Sequence, residues 1–159
     1  MIVAFAGALV PLGAPDVAHA APTFSFYEHH PCQIVTVAEV AKASRLPVSK
    51  SFTESNGGSS LEGPACDYTG PPDDIASLWF GHESASDLSI LYTKPTSEPA
   101  LGSGAFCAVN NGSMLYAETF ANVVAKGGSG WSLTVRVQAS HLPSCSLPVA
   151  VTKLIFAHL

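Results

Sequence analysis

Trp131-Ser132-Leu133-Thr134-Val135-Arg136-Val137-Gln138-Ala139 is the stretch that decides the fold. Trp131, Leu133, Val135 and Val137 alternate with Ser132, Thr134, Arg136 and Gln138. Side chains two residues apart share a face of a strand, so the pattern predicts a strand over 131–139 with one buried face and one wet face. Upstream, Lys126-Gly127-Gly128-Ser129-Gly130 reads as a turn, and Met114 to Ala125 reads as one long or two short strands. Asn110-Asn111-Gly112 tolerates the positive φ of a tight hairpin and joins that segment to a strand at Ala105 to Val109. Downstream, Pro148 suits the first turn of a helix reaching about His158. Val149, Val151, Leu154, Ile155 and Phe156 surround most of that helix, which predicts deep packing across the sheet.

The first half follows similar logic. Thr36-Val37-Ala38-Glu39 has the form of a capping box and predicts a helix from about Val37 to Arg45, stopped by Pro47. The Ser- and Gly-rich stretch 49–63 reads as a mobile loop or irregular hairpin. Strand signals occupy Ala65 to Thr69, Ile75 to Gly81 and Leu88 to Thr93, with turn-like residues at 70–74 and 82–87. Lys94 to Ser103, with two prolines, reads as a crossing loop between halves. Hairpin-joined strands with helices at the two ends define an α+β class. The expected architecture is an antiparallel sheet of five to seven strands with an N-terminal and a C-terminal helix on one face.

The N-terminus predicts export. Ile2 to Leu12 is apolar but shorter than the roughly 20 residues that span a bilayer, and Ala18-His19-Ala20 has the small-x-small form that signal peptidase accepts. Cleavage after Ala20 is expected, with 1–20 the signal peptide and 21–159 one domain. No Lys or Arg precedes the apolar run, which implies a true start further upstream. The first cysteine, Cys32, lies too far from the run for lipid attachment, and no later stretch is long enough to span a membrane. Loss of residues 1–20 removes only Asp16 among the charges, moving the formal net charge from −5 to −4. The seven Lys and Arg are scattered, so no nucleic-acid partner is expected.

Cys32, Cys66, Cys107 and Cys145 make an even count, which in an exported chain implies two disulfides. Three connectivities are possible. Cys32–Cys66 with Cys107–Cys145 is favoured because each bridge then ties a helix entrance to a strand in its own half. Zinc sites usually pair cysteines two to four residues apart, and no CxxC occurs.

Several motifs together resemble a family of small, mostly actinobacterial exported proteins and lipoproteins of unknown function. The resemblance rests on Pro31-Cys32, Thr36 with Glu39, Cys66-Asp67-Tyr68, Leu101-Gly102-Ser103-Gly104-Ala105-Phe106, the hairpin at Gly127 to Val137 and the closing helix. It covers about residues 31–158. Leu46-Pro47 stands where the family usually has Gly, and the acidic residue often found near Gly104 is missing. The resemblance implies a secreted α+β domain with a Cys32–Cys66 bridge, and it carries no catalytic residues.

Candidate chemistry is sparse, and no catalytic residue, cofactor or metal is assigned. Adjacent His29 and His30, after Glu28, point to opposite sides of an extended segment, so residues 21–31 read as an exposed, flexible lead-in rather than a metal site. His82 with Glu83 and Asp87 reads as a solvated turn, and His141 and His158 as single surface residues. Gly102-Ser103-Gly104 and Gly128-Ser129-Gly130 are incomplete fragments of a nucleophile elbow and read as turns. Asp73-Asp74 lacks the spacing of a calcium loop, and Asn111-Gly112-Ser113 is a formal glycosylation acceptor.

Phe24, Phe26 and Tyr27 fall in the lead-in, and Trp79, Phe80, Tyr92, Tyr116, Phe120 and Trp131 fall on strands. Any that stand on an uncovered sheet face would form a binding patch. The expected function is a non-enzymatic binding or envelope-associated module that uses the open sheet face or the 49–63 loop. Its partner would be a protein or envelope ligand of unspecified kind. The alternatives are a small secreted hydrolase or metalloenzyme using His82, His141 or His29-His30, and an inhibitor of a secreted enzyme.

Overall fold

Seven antiparallel strands form one sheet in the order β1-β2-β3-β7-β6-β5-β4 in the computed structural model, which describes residues 23–54, 63–71, 74–112, 114–124, 127–139, 141 and 143–159. The expected leader, Asp73 and most of the 49–63 loop lie outside the described residues. The strands are β1 (Lys50–Glu54), β2 (Ala65–Gly70), β3 (Asp74–Gly81), β4 (Thr96–Ser97), β5 (Phe106–Asn111), β6 (Leu115–Asn122) and β7 (Ser132–Gln138). The strand read first, β7, lies at the centre between β3 and β6.

Among the described residues four helices accompany them: α1 (Phe24–Tyr27), α2 (Val37–Ser44), α3 (Ala85–Leu88) and α4 (Ser146–His158). Helix α2 begins at the capping box as expected. The Thr36 amide donates to Glu39 Oε2 at 2.8 Å, and the Glu39 amide donates to Thr36 Oγ1 at 3.3 Å. Donation from the Thr36 amide, and then from its hydroxyl, to the carboxylate holds Glu39 below its usual range. Helix α4 starts two residues before the expected Pro148 and packs on both α2 and the sheet. His158 at its end reaches Glu39 Oε1 at 3.3 Å, joining the two helices.

One sheet face meets these helices and is almost wholly apolar. Leu78, Phe80, Leu133, Val135 and Val137 from the strands pack with Val40, Val151 and Ile155 from the helices, all buried. Its few polar groups find partners. Thr119 and Thr152 hydroxyls bond each other, and the Tyr68 hydroxyl donates to the Val35 carbonyl at 3.0 Å. Burial raises the Tyr68 phenol above its ordinary range.

The disulfides are Cys32–Cys66 and Cys107–Cys145, as favoured, with Cα separations of 5.0 and 5.9 Å. The first ties the turn before α2 to β2, and the second ties β5 to the start of α4. In the chain-entropy treatment, closing loops of 34 and 38 residues contributes about 3–4 kcal/mol each.

The structure corrects three local expectations and decides between two readings of a fourth segment. Residues 88–93 are not a strand: α3 and a 3₁₀ turn at Ser89–Leu91 occupy this segment. The Ser84 hydroxyl accepts from the Asp87 amide at 3.2 Å and starts the helical turn, overriding the apparent alternation of Leu88, Ile90 and Tyr92. Residues 23–30 are not a loose lead-in, because Phe24 is buried and packs edge-on against Phe80 at 5.0 Å and Trp131 at 5.6 Å. Of the two readings of 49–63, a mobile loop or an irregular hairpin, the described residues fit the hairpin: Lys50–Glu54 form β1, which pairs in register with β2 from Lys50↔Thr69 to Glu54↔Ala65. The crossing loop contains the two-residue β4, bounded by Pro95 and Pro99. Gly70 at the end of β2 is dictated by contact, since a Cβ there would stand 2.0 Å from the Pro47 carbonyl oxygen.

Candidate functional site

The second sheet face was expected to be wet, yet Ser132 and Thr134 of β7 are buried. The register explains this. Thr134 lies between Trp79 of β3 and Phe120 of β6, and Arg136 lies between Ser77 and Glu118. Trp79, Tyr116, Glu118, Phe120, Ser132, Thr134 and Arg136 therefore share this face. Residues 84–92 run over its β5–β6 side. Ala85 packs with Phe106, Ala108 and Phe120, and Leu88 and Tyr92 join them. Tyr92 meets Phe120 at 5.0 Å, and Phe106 stacks on Phe120 at 4.7 Å. The Asn122 side chain anchors the segment by accepting from the Ala85 amide at 3.0 Å.

A charged pair lies beneath this cap. Glu118 is fully buried, and Arg136 Nε donates to its Oε1. The Tyr92 hydroxyl donates to the other carboxylate oxygen at 2.9 Å. The guanidinium carbon of Arg136 stands 5.2 Å from the Trp79 ring centroid and 4.7 Å from that of Tyr116, so the cation rests among aromatic faces. Burial, and then the adjacent Glu118 carboxylate, push the Tyr92 phenol above its ordinary range, which keeps it a donor.

A groove of about 260 Å³ opens between the cap and the sheet. Trp79, Phe120, Ser132, Thr134 and Arg136 line the sheet side, Leu88, Leu91 and Tyr92 the cap side, and Gly81, His82 and Glu83 complete the lining. Ser132 is 1% exposed, and its hydroxyl has no hydrogen-bond partner among the described residues. The groove thus combines aromatic and aliphatic walls with the partly exposed Arg136 cation, the Glu83 carboxylate, the His82 imidazole and an unpaired hydroxyl. That combination suits a small apolar group carrying a hydrogen-bonding atom.

Of the His, Asp, Glu and Ser residues weighed from sequence, His82 and Glu83 line the groove, and the others among the described residues lie elsewhere. His29 lies beside Glu28 at 3.3 Å, and His30 faces the Phe26 ring. His82 lies against the Trp131 ring, His141 is exposed, and His158 bonds Glu39. Asp87 accepts from the Ser84 hydroxyl, while the Ser103 carbonyl accepts from Asn122. Among the described residues no three His, Cys, Asp or Glu side chains are placed to hold a metal ion. Ser113 of the formal glycosylation acceptor lies outside the described residues. Among them also, no helix is long and apolar enough to cross a membrane.

Sequence reasoning missed Glu118 and Arg136. The available signal was a lone acid between Tyr116 and Phe120 in an otherwise apolar strand, since a carboxylate there needs a buried partner. In class, the chain is a disulfide-braced α+β domain whose antiparallel sheet carries helices on one face and a short cap with a groove on the other. No family model matches it, and no match is found among curated proteins or solved structures.

Proposed function

We propose that the chain is a secreted, non-enzymatic binding module, akin to the small actinobacterial exported proteins it resembles, and that the groove beneath residues 84–92 is its ligand site. The observation that carries this reading is the buried, unpaired Ser132 hydroxyl at a groove whose apolar lining is Trp79, Leu88, Leu91, Tyr92 and Phe120. An unsatisfied buried hydroxyl costs about 1–3 kcal/mol in the free protein, and a ligand that bonds it recovers that cost. The groove's volume fits a group the size of an aromatic side chain, from an envelope molecule or a partner protein. Cleavage after Ala20 and release into an oxidising space belong to the same proposal, and the two disulfides support it.

The test is an amide chemical-shift titration with phenol, benzoate and N-acetylphenylalanine, repeated on Ser132→Ala. Saturable shifts confined to residues 79–92 and 132–136, weakened at least tenfold by the substitution, are expected. The substitution should also leave the free protein as stable as before or more so. Shifts scattered over the surface, or equal affinity in the variant, would dismiss the groove as the site.

A further inference from the structure

The two edges of the sheet differ in kind. β4 exposes only two residues between Pro95 and Pro99, and a proline offers no amide to a neighbouring strand. β1 exposes all five of its residues, Lys50-Ser51-Phe52-Thr53-Glu54, and contains no proline. Phe52, 44% exposed, stands at its centre. Among the described residues, β1 has β2 on one side and the turn at Pro31–Gln33 against it, and no strand pairs with its outer edge.

The strand is complementary to itself when reversed. With Phe52 at a two-fold axis, Lys50 falls opposite Glu54 of the second copy and Glu54 opposite its Lys50. Phe52 then meets Phe52, and Ser51 meets Thr53. We infer that β1 pairs antiparallel with β1 of a second copy of this chain, joining two seven-stranded sheets into one. Two opposite-charge pairs flank one aromatic pair, the combinations that favour cross-strand neighbours, and the contact closes by two-fold symmetry. Lys50, Phe52 and Glu54 share the face of Asp67, Trp79 and Arg136, so the grooves of both copies open on one face of the joined sheet. The inference stands independently of what the groove binds.

Sedimentation of the oxidised full chain over about 10 μM to about 1 mM, a range that brackets a weak association, reads the result. A reversible dimer is expected. Lys50→Glu places Glu against Glu, and Glu54→Lys places Lys against Lys, so each alone should weaken dimerisation at least tenfold. Mixing the two variants matches every charge again and should restore a heterodimer, and the double swap should restore a homodimer. A chain monomeric throughout the range overturns the inference, as does a dimer indifferent to the swaps or a mixture that stays monomeric. Amide exchange at residues 50–54 of the unsubstituted chain gives a second reading. Protection there should rise with concentration, and constant protection counts against the pairing.

Discussion

The two faces of the sheet come from the same strands and are buried by different physics. Against α2 and α4, the strands present Leu78, Leu133, Val135 and Val137, and the contact is nearly all aliphatic. Beneath residues 84–92 they present Trp79, Tyr116, Glu118, Phe120 and Arg136, and an ion pair lies among aromatic rings. The first arrangement is non-directional and tolerant of exchange among aliphatic side chains of similar volume. The second depends on direction, because a buried carboxylate is stable only while its donors stay in place. The helix face therefore holds the fold together, while the capped face carries the groove.

The sharpest test of that contrast is truncation on the helix face. Leu133→Ala should cost about 2–5 kcal/mol of global stability by urea or thermal unfolding, since the side chain is fully buried. A cost near zero would show that the helix side is loosely packed. Glu118→Gln comes next, with about 1.5–3 kcal/mol expected from the loss of bonds to a charged group. It should also lower the Tyr92 pKa toward the ordinary phenol value in an ultraviolet titration, because the carboxylate is one cause of the upward shift.

Alkaline pH should weaken both faces together. Tyr68 and Tyr92 have folded pKa values above the unfolded value of about 10, so their stabilisation is fully present below that pH. It is lost as pH rises beyond it, because the unfolded chain then releases protons that the folded chain retains. Unfolding followed from pH 8 to pH 11 should show a plateau and then a decline, with Tyr92→Phe declining less. The smallest effect belongs to the cap. Leu88→Ala removes a half-buried side chain and should cost about 1 kcal/mol, read as faster amide exchange at residues 84–92 with the β7 amides unchanged. Equal acceleration in β7 would mean that the cap and the sheet open as one unit.

What the sequence disclosed follows what burial imprints on it. β7 was legible because its helix face is aliphatic at every second position, and α2 because Thr36 and Glu39 announce its first turn. β1 carries no such imprint. All five residues are exposed, so nothing selects an alternating pattern, and its Ser-rich neighbourhood reads as loop. The cap misled for the opposite reason: Leu88, Ile90 and Tyr92 alternate like a strand, but only Leu88 and Tyr92 pack inward, while Ile90 is 84% exposed. Ser84 and Asp87, three apart, were the overlooked sign of a helical turn. The Glu118–Arg136 pair depends on the register between β6 and β7, which no single segment records.

The two disulfides close successive loops that neither overlap nor nest. A single proteolytic cut between Cys66 and Cys107 therefore leaves two polypeptides with no covalent link, one carrying β1 and β2, the other carrying β5 to β7 and α4. They would stay together through non-covalent contacts alone: the packing of α2 on α4, the contact of Phe24 with Trp131, and the sheet seam between β3 and β7 or between β3 and β2, according to where the cut falls. A cut inside either loop instead leaves one covalent molecule. For a protein that meets proteases, the vulnerable stretch is the one from β3 through the cap to β4, and the cap lies in the middle of it.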